Sequence, residues 1–580
     1  MARYRRERMP KERARKAQVQ TIRLFRSSPF CSLTGGLVDV ASPVLWSFLP
    51  LITQHLFFMS LPPPPKTAAD GRERFGRNVA FAWGGYMVNV ISGFIIPRMI
   101  SDHLGQTTLG IWDFAWSFVA YFGLVQLGMG SSISRYVALY RAKDDAGGLS
   151  RSVSTIAVFQ RSVGWLALVL AVVSAWWILP LFDTQLGEAL GMARWVLLFL
   201  GAEVAMTISL SVYGAVIVGC HRWDLHNTIS AVAYALVAFG MIGVLLLGGG
   251  LPVLALVHCA VMVGSEVVRW RVACQVCPEL RIDRRLASWS DFKEQGRYSI
   301  KSLIPSISNL FSNQALNLLI TAFLGPASLA VFSRSRSLMA ALGTLAVKFG
   351  MIVVPTASAL QAKNDQQALR STLLATPAII SSLVLPVLIA LGVLGDCLIR
   401  LWMGEAYVLP GLVVILCAGT YATLVQEPVW SLLSGMNRHG RIALAKLGAA
   451  VGSTLLLTVG LWFLHWGLLG AALCLVLPQL LMDGLVTPWY ACHVVGVSKR
   501  LFLWQVFARP MLCGASFGVA LAVGFEVLRS HPIWAALLFC GGTLISSLLY
   551  LRWLIPMATR RVLTNSIASM LSKRAIETIP

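Results

Sequence analysis

Long apolar runs broken by short polar stretches set the plan of this chain. The runs are mostly of the roughly 18–25 residues that a helix needs to cross about 30 Å of hydrocarbon. Fourteen spans are read, at about 78–100, 111–134, 154–181, 192–219, 227–248, 251–270, 300–323, 328–355, 372–394, 409–435, 445–464, 468–491, 509–528 and 533–555. The stretches between them alternate in charge. One set is basic: it holds Arg135, Arg141, Lys143 and Arg151, then Arg222, then Arg269 to Lys301, and later Arg438, Arg441, Lys499 and Arg500. The other set is short and poor in cations, as in "SDHLGQTTLG", "LGPAS" and "GDCLIRLWMGEAY". Cationic loops stay in the cytoplasm, so both ends of the chain are expected there, which agrees with an even number of spans.

Composition supports the same class. The chain has 580 residues, of which 57% are hydrophobic and 13% charged. Soluble domains carry about 25% charged residues. The net charge of +23 would suggest nucleic acid in a soluble protein. Here cationic loops that fix topology and face anionic lipid headgroups account for it, and no nucleic-acid partner is expected. Cys274 and Cys277 form a lone CxxC without a second pair or His ligands, so no metal site is read.

The sequence divides into a basic extension (1–77), a first lobe (78–273), an interlobe loop (274–299), a second lobe (300–492), two further helices (493–556) and a basic tail (557–580). The extension holds ten Lys or Arg within residues 1–26 and an apolar run at 41–61. Spanning would require one basic flank to be translocated. Either the run lies at the interface, or translation starts downstream at Met59 and residues 1–58 are an annotation artefact.

The lobe assignment rests on an internal repeat. At an offset of 220, "ISDHLGQTTLGIWDFAWSFVAYFG" (100–123) overlies "ITAFLGPASLAVFSRSRSLMAALG" (320–343) without a gap. The same register carries "AKDDAGGL" (142–149) onto "AKNDQQAL" (362–369) and Asn89 onto Asn309, while at 216 "GCHR" meets "GMNR". Six spans separate the copies, so they share one orientation and are related by an axis along the membrane normal. The expected fold is an all-α polytopic membrane protein with two six-helix lobes and two added helices. A site between two such lobes is a transporter plan.

Span eight carries Arg334, Arg336 and Lys348. A cation at the bilayer centre costs about 2.5–3.5 kcal/mol on insertion scales. At about 100° per residue, Arg334 and Lys348 fall within roughly 40° of each other on one helix, and Arg336 about 160° from Arg334. Arg334 and Lys348 then read as an anion track whose negative partner is a substrate group rather than a protein carboxylate. Arg336 reads as facing another way, toward headgroups. Span seven places Ser302, Ser306, Asn309, Asn313 and Asn317 on one face; this is either helix–helix glue or a wet wall for sugar hydroxyls. Span two offers Trp112, Asp113, Phe114 and Trp116, its aromatics as belt residues or as sugar-stacking rings. Arg98, Arg161, Arg194, Glu203, Glu427 and Asp483 are further ionisable residues within spans. Glu203, Glu427 and Asp483 are either ion-coupling groups or counter-ions of an Arg.

No G-x-x-x-x-G-K-[ST] is present, so nothing supports ATP hydrolysis by this chain. The short outer stretches leave no room for the catalytic loops of a membrane glycosyltransferase, and no enzyme activity is read.

"LGQTTLGIW…GLVQLGMGSSISRYVALYRAKDD", "LGDCLIRLWMGEAYV" and "LSGMNRHGRIAL" followed by "HWGLLGAAL" resemble the oligosaccharide-flippase branch (Wzx-type, polysaccharide and O-antigen flippases) of the superfamily that includes the MATE exporters. The resemblance covers about 78–495 and is diffuse, with "LWMGEAY" its most distinctive piece. It implies a protein of the bacterial inner membrane that moves undecaprenyl-diphosphate-linked oligosaccharide between leaflets by alternating access. Its partners would be that lipid-linked substrate, membrane lipids and polysaccharide polymerase or export proteins. No cofactor is implied, and the drive is a proton gradient, a sodium gradient or the membrane potential. Arg98, Arg334, Arg336 and Lys348, with Asn89, Asn309, Asn313 and Asn317, are the cavity candidates. A peptidoglycan lipid II flippase and a MATE-type small-molecule exporter are the alternatives.

Overall fold

The computed structural model describes residues 75–123, 130–293, 307–308 and 310–528, with scattered positions between 534 and 545. The basic extension with its 41–61 run, Asn309, Ser302, Ser306, most of the fourteenth span and the tail lie outside the described residues. Among the described residues every regular element is helical. Nine helical stretches among them are long and apolar enough to cross a membrane.

The first lobe consists of α1 (Phe75–Leu104), α2 (Gln106–Phe122), α3 (Gly130–Ala142), α4 (Ala146–Val173), α5 (Leu190–Gly219), α6 (Trp223–Leu246) and α7 (Leu251–Val276). The second begins with α8 (Leu316–Leu324), α9 (Pro326–Ser337), α10 (Ala340–Ala362) and α11 (Gln366–Met403). It continues through α12 (Leu412–Gly435), α13 (Gly440–Trp462), α14 (Leu468–Leu481) and α15 (Thr487–Val495).

The sequence repeat is written into the backbone. Gly105 has φ 88°, ψ 166° and its counterpart Gly325 has φ 83°, ψ 166°. This is backbone that only glycine adopts readily, and it reverses the chain between α1 and α2 and between α8 and α9. Asp144 and Asn364 sit at φ 52° and 54°, and His221 and Asn437 at 59° and 55°. Asp145 caps α4 by accepting from the Gly148 amide (2.8 Å), and Asp365 caps α11 by accepting from the Ala368 amide (2.9 Å). Each cap satisfies one of the orphan amides at a helix start.

Two expectations about single straight spans fail. Span eight is broken at Leu338–Met339 into α9 and α10. The polar run Ser333–Ser337 weakens its last turn, where Ser337 Oγ donates to the Arg334 carbonyl oxygen (2.8 Å) in competition with the helix ladder. The phase relation between Arg334 and Lys348 therefore does not hold. Span seven contains a π-turn at Phe311–Ala315, so its helix is not regular throughout.

The core fixes where the lobes meet. Leu109, Ile111 and Phe114 of α2 are at most 1% exposed and belong to one apolar cluster with Leu329 and Phe332 of α9. This shared core lies toward the charge-poor ends of the helices. At the basic end the first lobe has its own cluster, with Val137, Leu149, Val216 and Val276, which includes nothing from the second lobe.

Candidate functional site

A seam closes the charge-poor end. Arg98 donates to the Trp402 carbonyl oxygen (3.0 Å), Trp402 Nε1 donates to the Phe94 carbonyl oxygen (2.8 Å), and Ser101 and Tyr407 hydroxyls share a bond of 2.7 Å. Deeper in, Gly110 lies so close to Pro326 that a Cβ there would stand 1.8 Å from the Pro326 carbonyl oxygen. One turn further toward the basic end, Arg334 Nη2 donates to both carboxylate oxygens of Asp113, each at 2.7 Å. Asn317 Nδ2 then donates to Ser117 Oγ (3.0 Å). All of these bonds run between the lobes.

A cavity of about 610 Å³ begins where the seam ends. Asp113, Trp116 and Ser117 of α2 line one wall; Asn313, Gln314 and Asn317 line another; Arg334 and Arg336 of α9 close it. Arg336 donates to Asn313 Oδ1, and among the described residues no carboxylate is within ion-pair distance of it. Arg334 Nε and Asn317 Oδ1 are buried without a partner among the described residues. Such groups cost about 1–3 kcal/mol each unless water or a ligand satisfies them.

Several sequence expectations meet this geometry differently. The partner of Arg334 is a protein carboxylate, Asp113, which the sequence offered only in passing. Arg336, read as facing headgroups, lines the cavity, where its guanidinium donates to Asn313 Oδ1. Lys348 is on α10 and stands with its ammonium 4.7 Å from the Tyr86 ring centroid of α1, another contact between lobes. Arg98 lies in the seam and pairs with Asp102 (2.7 Å) rather than lining the cavity, since it is only two turns from the end of α1. Asn89 is exposed on α1 and lines neither of the cavities described here. Asn313 and Asn317 are both on the wall, one holding an arginine and the other bridging the lobes.

The carboxylates are inside the lobes. Glu203 accepts from or donates to His258 Nδ1 (3.0 Å), not an arginine, with Trp112 and Trp116 edge-on to that imidazole at 6.1 and 5.3 Å. Asp483 pairs with Lys446 (2.9 Å). Lys446 and His258 were missed by the sequence reading. Lys446 falls at the very start of the span read at 445–464, five residues past the basic Arg441, and lies in the second turn of α13.

Residues 138–409 match the family model described as "Polysaccharide biosynthesis protein". No curated protein sequence matches the chain. Its fold is similar to that of the lipid II flippase MurJ in an inward closed conformation, with TM-score 0.58 and 14% identity, covering 82% of this chain and 100% of that one. It is also similar to an inward-facing multidrug resistance MATE family transporter (TM-score 0.54, 15% identity, 72% of this chain and 98% of that one). A transporter from Pyrococcus furiosus, described as having a binding pocket of reverse polarity, matches with TM-score 0.51 and 16% identity over 73% of this chain and 96% of that one. At these identities the structural likeness concerns the fold, a membrane transporter fold. The family match over residues 138–409 and the fold shared with MurJ and the MATE transporters support a polysaccharide or lipid flippase of the superfamily that also holds the MATE transporters.

Proposed function

We propose that this protein flips an undecaprenyl-diphosphate-linked oligosaccharide from the cytoplasmic to the periplasmic leaflet of the bacterial inner membrane by alternating access. The observation that carries the reading is Arg336, a guanidinium on the cavity wall whose one side-chain partner among the described residues is the neutral amide of Asn313. A guanidinium is the residue of choice for bidentate phosphate recognition. Arg334 adds an unpartnered Nε, and Lys348 stands toward the basic end, where the anion would enter. Asn313, Gln314 and Asn317 supply amides for sugar hydroxyls, and the lipid tail stays in the bilayer.

The charge-poor seam is the periplasmic gate in this reading, because basic loops hold the opposite end in the cytoplasm. The structure is then the inward-facing state. A cation exporter wants free carboxylates in its cavity, and Asp113, the carboxylate that lines this cavity among the described residues, is already engaged by Arg334. A lipid II flippase is the second reading, favoured by the match to the whole length of MurJ. The match of residues 138–409 to a polysaccharide family favours the first. Glu203, Glu427 and Asp483 are the proposed coupling groups.

Complementation of flippase-deficient strains tests this. Arg336→Ala should abolish surface polymer while the protein remains in the membrane. Rescue of a lipid II flippase mutant instead of a polysaccharide flippase mutant would transfer the assignment to the second reading.

A further inference from the structure

A second cavity of about 500 Å³ lies within the second lobe and shares Asn313, Arg336 and Thr420 with the first. Among the described residues four charged groups face it: Arg336 from α9, Glu427 from α12, Lys446 from α13 and Asp483 from a π-turn, Met482–Val486. π-Turns inside helices recur at functional sites, and here both cavity-lining π-turns, this one and Phe311–Ala315, carry polar groups into the lumen.

Lys446 Nζ lies 2.9 Å from Asp483 Oδ1, which also accepts from Thr487 Oγ1 (3.3 Å). The same ammonium stands 5.3 Å from the ring centroid of Trp430, one turn after Glu427 on α12. Lys446 is thus held at the turn of α12 that carries the second carboxylate. Glu427 has no ion pair of its own among the described residues. With both carboxylates ionised the trio carries a net charge of −1, which Arg336 on the same cavity offsets only while no anion is bound to it, and an uncompensated charge is costly at membrane depth. One proton makes it neutral.

We propose that Glu427, Lys446 and Asp483 form a one-proton exchange site in which Lys446 is a tethered cation, standing where a free metal ion would otherwise be needed. The inference rests on the reading of Glu427 and Asp483 as coupling groups. In the loaded site Glu427 is protonated and Lys446 pairs with Asp483. When the proton leaves to cavity water, the trio passes from neutral to −1 and the ammonium is shared between both carboxylates. The ammonium already supplies the positive charge, so sodium has no vacancy to fill. Arg336, which lines both cavities, links this site to the substrate: an anion bound there favours the proton on Glu427.

The test is infrared titration of the purified full-length protein, in sodium and in choline buffers of equal ionic strength and without substrate. The wild type should show a protonated-carboxyl band that titrates reversibly, is the same in both buffers and is lost in Glu427→Gln. Lys446→Met leaves two carboxylates without their cation, so the band should grow about twofold, one added proton for the lost charge, and sodium should now suppress it. A wild-type band that survives Glu427→Gln unchanged, or that sodium suppresses, overturns the proposal. Glu427→Gln keeps the test intact if Lys446→Met does not fold. Failure of the flippase reading would appear in transport and not in this titration, so the two are separable.

Discussion

Replacing Asp113 by Asn should open the seam between the lobes. The side chains of Arg334 and Asp113 are 9% and 13% exposed and make two bonds of 2.7 Å, so the pair behaves as a buried one. Removing one partner of a buried pair costs about 3–5 kcal/mol, because the remaining charge is left uncompensated. The adjoining cavity gives Arg334 some water, which favours the lower figure. That cost falls on the closed state alone, since separation of α2 from α9 hydrates both groups. A bias of about 3 kcal/mol shifts the closed-to-open ratio roughly 150-fold.

Spin labels at His103 and Glu405, exposed on opposite sides of the seam, report this as a distance distribution in a background without native cysteines. The wild type should show one short population and Asp113→Asn a second, longer one. The double reversal Asp113→Arg with Arg334→Asp restores the pair and should restore the short population. An unchanged distribution in Asp113→Asn would refute the claim that this pair holds the gate.

Other outcomes follow from the same geometry. Gly110→Ala places a Cβ 1.8 Å from the Pro326 carbonyl oxygen, so α2 and α9 must separate, and the same labels should report loss of the short population. Arg336→Ala should reduce polymer export at least about tenfold, and Arg336→Lys should rescue only part of it, because an ammonium keeps the charge but not the bidentate fork. Asp145→Ala and Asp365→Ala each remove a helix cap, and each should cost about 1 kcal/mol in unfolding experiments in detergent micelles. Their similarity is itself a prediction of the repeat; a large cost at one position and none at the other would count against equivalent caps.

The sequence was most informative where the physics is local or periodic. Span length, charge alternation and the offset of 220 led to a helical membrane protein with duplicated lobes. The duplication reaches single dihedral angles: Gly105 with Gly325, Asp144 with Asn364, and the caps at Asp145 and Asp365. These features are set by a few adjacent residues, so a matching pattern carries a matching backbone.

The roles of the cations were least legible, for two physical reasons. An angle of 100° per residue holds only along an unbroken helix, and the break at Leu338–Met339 separates Lys348 from the helix that carries both arginines. The second reason is distance along the chain. The partner of Arg334 is Asp113, 221 residues away, and no local pattern pairs them. The repeat did hold a clue. Residue 333 is the counterpart of 113, so Asp113 and Arg334 occupy neighbouring positions in the two copies, and an axis between the lobes brings such positions face to face. Residues near that axis meet their own counterparts, so a charge there needs a complementary charge in the other copy. The difference between the copies, an acid in one and a base in the other, is therefore what turns a symmetric contact into a latch.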